Sequence, residues 1–420
     1  MREIKLKGLD ATAYNETLDN GLEIFLLPYE NKKNYCINYV TRFGSEIASY
    51  NKDNKTIELS DGIAHFLEHK LFEQESGEDP FEFFQKSGTE VNAGTNYEYT
   101  QYYCCGTKSF RENLRYLIQF VNAPYFTDEA VEKEKNIIIE EIKMYNDCPE
   151  SRLDNKLRES TYIKSKRAID IAGTIDSVKK INKKELLDTY KAFYRPNNMF
   201  IFVVGKFKIN DALEVIKEEL KDKKSIDDIE INKIDEPVKV NKKNVILKDN
   251  IESSKLAFAM KIDVSKLELD DIELDLYLSM LSNVLFGSSS LFREKTIKNK
   301  LLNGITTYWE NVDIIRVFNI LGTNVFNSKE VIKEIKDTFN NINISEEDFN
   351  RTKKVWIANE VRVIDDLAKA DIILLDEIIN YRRIIPNKID LIKNMKLSKL
   401  NNMINKIDFD NISIVEMIKK

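Results

Sequence analysis

GIAHFLEHKLFE, running from Gly62 to Glu73, is the stretch on which the reading of this chain turns. On an α-helix each residue advances by about 100°. His65 and His69 therefore stack on one face, with Glu68 beside them. Two imidazoles one turn apart reach a single zinc ion at about 2.0–2.1 Å each. A glutamate next to them that does not bind the metal can take a proton from water activated there. The order is His-x-x-Glu-His, the reverse of the commoner His-Glu-x-x-His. The flanking residues Ile63, Ala64, Phe66, Leu67, Leu71 and Phe72 are apolar. A helix of that kind is mostly buried, and a buried imidazole or carboxylate needs a partner. The alternative, three polar residues on a solvated face, fits those flanks poorly.

These are the only two histidines in the chain. Two imidazoles and a water leave a tetrahedral site one protein ligand short, and no cysteine stands at a supporting spacing. The third ligand is expected to be a carboxylate. With 70 Asp and Glu residues, composition does not say which.

Working outward, 420 residues suggest two or three domains. A 42% hydrophobic and 32% charged composition supplies a core and excludes a disordered chain. The net charge, −6 from 64 basic and 70 acidic residues, argues against a nucleic-acid binder. No apolar run approaches the length of a membrane span, and the N-terminus MREIKLKGLDATAYNETLDNGL shows no secretory signal. Four cysteines, Cys36, Cys104, Cys105 and Cys148, match no metal-binding spacing, and Cys104 and Cys105 point to opposite faces of a strand. They read as reduced thiols of a cytoplasmic protein.

Strands are expected at Asn20–Pro28 and Tyr35–Ser45, then the motif helix from Asp61 to about Glu73 and an amphipathic segment over Asp79–Lys86. One or two strands follow in Glu90–Thr107, a stretch rich in Tyr and Thr. Helical periodicity covers Arg111–Ala123 and Asp128 to about Met144, with Thr127 as N-cap. Tyr194–Phe207 reads as a turn and a buried strand, followed by an amphipathic helix. Residues 221–248 are polar, charged and broken by proline, and read as a linker ending in a strand. The remainder repeats the opening order: a strand (Lys255–Ile262), a helix (Asp271–Phe286), strands near Ile305–Asn324, then helices to the end. The expected architecture is α+β, with two similar halves, each a β-sheet flanked by helices: 1–220 with the His-x-x-Glu-His site, and 249–420 as its homologue.

With these residues in hand, the chain resembles the pitrilysin/insulinase family of zinc metallopeptidases, the inverzincins, most closely their small bacterial branch. The markers occur in family order: Asn20-Gly21-Leu22, the strand ending Gly44-Ser45, GIAHFLEHKLFE, Asn92-Ala93 with Thr95, Thr100 and Tyr102, EKNIIIEEIKMYND (Glu134–Asp147), AGTIDSV (Ala172–Val178) and FYRPNNM (Phe193–Met199). The resemblance implies a third zinc ligand from a Glu-x6-Glu arrangement, which maps onto Glu134 and Glu141. Glu141 is then the ligand and Glu134 a carboxylate that orients one. Seven residues are about two helical turns, so the two share a face, while Glu140 is the competitor for the ligand role. Without the resemblance, this segment reads as a charged surface helix. The family also implies that Asn92–Tyr102 is an edge strand to which an extended peptide adds, with Asn92 and Ala93 nearest the scissile bond.

Aligning Leu285-Phe286 with Leu71-Phe72 places Ser279, Ser282 and Asn283 opposite His65, Glu68 and His69, so the second half looks non-catalytic. Active family members carry an Arg and a Tyr about two helical turns apart in that half. Here the corresponding positions are Lys298 and Gly304, while Arg293 and Tyr308 stand fifteen residues apart. The resemblance therefore implies a zinc endopeptidase for short or unfolded peptides, with the processing of a single peptide precursor as one form of that activity. It would hold one Zn2+ per chain, with Glu68 as the catalytic base, and act as the active subunit of a clamshell heterodimer whose related partner supplies the Arg/Tyr pair. The competing class is a non-catalytic peptide-binding or scaffold subunit of the same family.

Overall fold

The structure, a computed structural model, describes residues 1–225 and 229–420. It divides into two compact units: residues 1–143, 170–233 and 360–388 form the first, and residues 144–169, 234–359 and 389–420 the second. Each is a sheet with helices packed on it, the expected α+β class.

The strands of the first unit are β1 (Arg2–Lys5), β2 (Thr12–Thr17), β3 (Glu23–Pro28), β4 (Tyr35–Thr41), β5 (Ser49–Lys52), β6 (Lys55–Glu58), β7 (Glu90–Thr95), β8 (Thr100–Gly106), β9 (Met199–Gly205) and β10 (Glu230–Ile231). Seven of them form a sheet in the order β1-β2-β3-β9-β4-β8-β7, and β10-β5-β6 form a small second sheet. Only β3 and β9 pair in parallel within the large sheet.

Strand β9, MFIFVVG, is buried along its whole length, as an uninterrupted apolar run requires when both sheet faces are covered. Ile201 and Val203 face the core that holds Ile63, Phe66 and Leu67 of the motif helix. Phe200, Phe202 and Val204 face the other way, against Leu374, Leu375 and Ile378. Those residues belong to the helix Leu367–Tyr381, supplied from far along the chain. On the same face Asn38 Nδ2 donates to Asp371 Oδ1 (2.6 Å), and Gln101 Nε2 donates to Asn38 Oδ1 (2.6 Å).

In the second unit β11 (Asn244–Asp249), β12 (Ser254–Asp263), β13 (Leu302–Val312), β14 (Ile315–Val325) and β15 (Ile412–Lys419) make one sheet in the order β11-β15-β12-β14-β13. Its partner helix Pro149–Thr161 packs Leu153 and Leu157 against Ala257, Val415 and Met417.

Several expectations need correction. The units are not the contiguous halves 1–220 and 249–420, because each sheet has a face that only a segment from the other stretch of chain covers. Of the expected linker 221–248, residues 226–228 lie outside the described residues, and the described parts are anchored within the units: β10 pairs with β5, and Glu236 is buried. The Glu236 carboxylate accepts the backbone N–H groups of Ile163, Lys164 and Ser165 (2.9, 2.7 and 2.7 Å) and pairs with buried Lys261. The chain ends in β15, a strand between β11 and β12, and not in a helix. The cysteines are not all free. Cys36 on β4 lies directly opposite Cys105 on β8, Cα atoms 4.2 Å apart, and the two form a disulfide. A search by spacing along the chain misses a pair brought together by strand register. Cys104 and Cys148 are free. Among the described residues, no helix is long and apolar enough to cross a membrane.

Candidate active site

The motif helix spans Ile63–Leu71. Ile63, Ala64, Phe66, Leu67, Lys70 and Leu71 are buried, whereas His65, Glu68 and His69 occupy the partly open face. The second element is the helix Asp128–Asp147, opened by Thr127, whose Oγ1 accepts the Ala130 N–H (3.1 Å). Val131, Ile138, Ile139 and Ile142 bury one side of it. Burial of that stripe turns Glu134 and Glu141 toward the histidines.

His65 Nε2 lies 3.8 Å, and His69 Nε2 3.5 Å, from Glu141 Oε2. The three ligand atoms all fall within 4.8 Å of one another. Ligand atoms at about 2.0–2.1 Å around a tetrahedral zinc stand roughly 3.3 Å apart, so this donor set fits the ion. Glu134 Oε1 sits 3.0 Å from His69 Nδ1, which leaves Nε2 to face Glu141. His65 Nδ1 is buried and has no hydrogen-bond partner among the described residues. Glu140 points elsewhere: it is exposed and pairs with Lys143 at 2.7 Å.

Burial and then the neighbouring His69 pull the His65 imidazole down to about 4, against the carboxylates of Glu141, Asp170 and Glu134. His65 is thus neutral at physiological pH, the form that binds metal. Burial alone would lower His69 too, but the Glu134 hydrogen bond and the charges of Glu134, Glu68 and Glu141 outweigh it and hold that ring above its ordinary value. Burial also raises the Glu68 carboxyl, opposed by hydrogen bonds from Thr95 and by His69. A base with a raised pKa gives its proton up less readily and is better matched to work near neutrality.

Thr95 is the residue for which sequence reasoning found no task. Its hydroxyl donates to Glu68 Oε2 at 2.6 Å. It ends β7, the outermost strand of the large sheet, and the only signal for it in the sequence was its place among the family markers. Asn92 and Ala93 lie on the same edge strand, paired with Tyr103 and Tyr102 of β8. A side chain on Gly94 would meet nothing within 4 Å.

In the second unit Ser279, Ser282 and Asn283 fall on the helix Asp271–Phe286. Ser282 Oγ donates to the Ser279 carbonyl (3.1 Å) and accepts from Trp309 Nε1 on β13 (3.1 Å). The pattern parallels Glu68 and Thr95, a helix side chain bonded to the edge strand, with no metal-ligating group. Tyr308 is likewise occupied within its unit, donating to Asp154 Oδ1 (3.1 Å).

Residues 53–175 match the family model of insulinase, peptidase family M16, and residues 180–355 match that of the peptidase M16 inactive domain. The chain is 37% identical over 297 residues to YmfH of Bacillus subtilis (strain 168), described as an uncharacterized zinc protease, and the match spans 69% of each protein. This chain belongs to the M16 (insulinase) peptidase family. A second relative from the same bacterium, YmxG, also described as an uncharacterized zinc protease, is 30% identical over 208 residues, 48% of each chain. Among solved structures, an M16-like peptidase from Alicyclobacillus acidocaldarius superposes with a TM-score of 0.91 at 27% identity, covering 99% of this chain and 100% of that one.

Proposed function

We propose that this M16 protein is a zinc-dependent endopeptidase for short or unfolded peptides, with its metal held by His65, His69 and Glu141. The observation that carries the proposal is the convergence of those three ligand atoms beside a half-buried carboxylate, Glu68, fixed by Thr95. Zinc bound there supplies Lewis-acid activation of water and of the scissile carbonyl. Glu68 accepts the proton of the attacking water and passes it to the leaving amine nitrogen as the C–N bond breaks. The free edge of β7 receives the substrate as an added strand, with Asn92 and Ala93 flanking the bond to be cut. Glu134 holds the His69 ring in the orientation that presents Nε2.

The second unit carries no metal-ligand set at the corresponding helix, and its Tyr308 is tied to Asp154. We therefore propose that a related subunit supplies the missing Arg/Tyr pair. A scaffold role is the competing reading, and an intact His65-Glu68-His69-Glu141 set speaks against it. The experiment is digestion of an unstructured peptide library by the purified protein, alone and with its co-purifying subunit, before and after chelation. Cleavage that chelation abolishes and zinc restores supports the enzyme. No cleavage under any of these conditions supports the scaffold.

A further inference from the structure

The two histidines are held in different ways. His69 has a hydrogen-bond partner for its second nitrogen, Glu134. His65 has none among the described residues: its Nδ1 is buried and unpartnered there. His65 is also the third residue of its helix, so its position follows the helix start directly. That start has no side-chain cap: Gly62 takes the capping position in the left-handed region, with φ +88°.

What meets Gly62 is the turn Asp170–Gly173, which runs into the AGTIDSV marker (Ala172–Val178) that the proposed reaction leaves without a role. A Cβ on Gly62 would lie 2.4 Å from the Ala172 carbonyl oxygen. A Cβ on Gly173, whose φ is +79°, would lie 2.4 Å from the Asp61 carbonyl oxygen and 2.8 Å from the Gly62 nitrogen. Each glycine is thus required twice, by its backbone angle and by the backbone it touches. The turn is itself pinned: Asp170 Oδ1 accepts the Ala172 N–H (2.9 Å), and the Asp170 carbonyl accepts the Gly173 N–H (2.8 Å).

We propose that the Asp170–Gly173 turn is a positioning element of the metal centre, its interlock with Gly62 seating the motif helix so that His65 meets Glu141. Glu134 orients one imidazole through its side chain, and this turn places the other through the backbone. The proposal rests on the reading of His65, His69 and Glu141 as zinc ligands.

The test measures zinc affinity of the full-length protein by chelator competition, together with the visible spectrum of the Co2+-substituted protein and far-ultraviolet circular dichroism. Gly173→Ala and Asp170→Ala are expected to weaken zinc binding by about 10–100-fold, the range for supports of a metal ligand, and to alter the Co2+ bands with helix content unchanged. Gly77→Ala is the control for backbone strain alone: φ there is +74°, with nothing within 4 Å of an added Cβ. It should bind like wild type, and Asp170→Asn, which keeps the acceptor for the Ala172 N–H but loses the charge that bears on His65, should bind more tightly than Asp170→Ala. Folded Gly173→Ala with wild-type affinity and spectrum overturns the proposal. If Gly173→Ala does not fold, wild-type affinity in Asp170→Ala overturns it instead. Equal weakening in Gly77→Ala also overturns it. A wild-type chain that binds no zinc fails at the level of the metal reading, a result distinct from all of these.

Discussion

Glu134 and His69 form a hydrogen bond that turns an imidazole of this site: Glu134 Oε1 lies 3.0 Å from Nδ1, while Glu141 Oε2 lies 3.5 Å from Nε2 at the other end of the ring. Two carboxylates from one helix, two turns apart, divide the two nitrogens of a single side chain between them. Glu134→Gln loses the charge and should weaken zinc affinity by about 10–100-fold without unfolding the chain. Chelator competition at fixed pH reads this directly, and unchanged affinity would show that Glu134 does not support the ligand.

Thr95 gives a separable prediction. Its hydroxyl bonds Glu68 Oε2 at 2.6 Å, and Glu68 is outside the proposed ligand set His65, His69 and Glu141. Thr95→Val should lower kcat by about 10-fold, within the range of a general base held in poor geometry, with zinc content intact. Thr95→Ser, which keeps the hydroxyl, should restore most of the rate. Steady-state kinetics on a fluorogenic peptide would decide, and a Val variant as fast as wild type would count against this role.

Asp371 makes stability depend on pH. Burial raises its carboxyl from 3.8 to about 6, against a hydrogen bond from Asn38. The folded chain therefore holds a proton that the unfolded chain has lost between these values. The stabilisation is full below about pH 3.8 and is lost as pH rises through about 6. Asp371→Asn keeps an acceptor for Asn38 and removes the charge. It should raise stability by about 1–3 kcal/mol at pH 8 and leave it nearly unchanged at pH 4. Urea melts at the two pH values measure the difference, and an equal effect at both would refute the assignment.

Glu236 and Lys261 form a buried ion pair in the second unit, the carboxylate also accepting three backbone N–H groups. Removing one partner strands the other charge. Glu236→Ala should cost about 3–5 kcal/mol, seen as a fall in urea midpoint. A loss below about 1 kcal/mol would show a pair that is effectively solvated.

The motif helix is legible in the sequence because its signal is local: two histidines and a glutamate on one face, apolar residues on the other. The strands β3, β4, β7, β8 and β9 are legible for the same reason, as alternating or wholly apolar runs between turn residues. Glu141 is different. From its own segment, EKNIIIEEIK reads as a charged surface helix, and only docking distinguishes Glu141 from exposed Glu140. The family resemblance, and not its own segment, points to it. The helices Pro149–Thr161 and Leu367–Tyr381 cover distant sheets, and no local pattern encodes which sheet a helix will join. Strand β15 contains Glu416 and Met417, good helix formers, and is a strand because β11 and β12 flank it. The Cys36–Cys105 pair depends on register between strands 69 residues apart.

The most direct measurement is the zinc content of the purified protein after dialysis, compared for wild type, Glu141→Gln and Glu140→Gln. The account predicts one zinc per chain in wild type and in Glu140→Gln, and loss of the metal in Glu141→Gln with the fold retained. Zinc retained at full occupancy in Glu141→Gln, or absent from wild type, would contradict it.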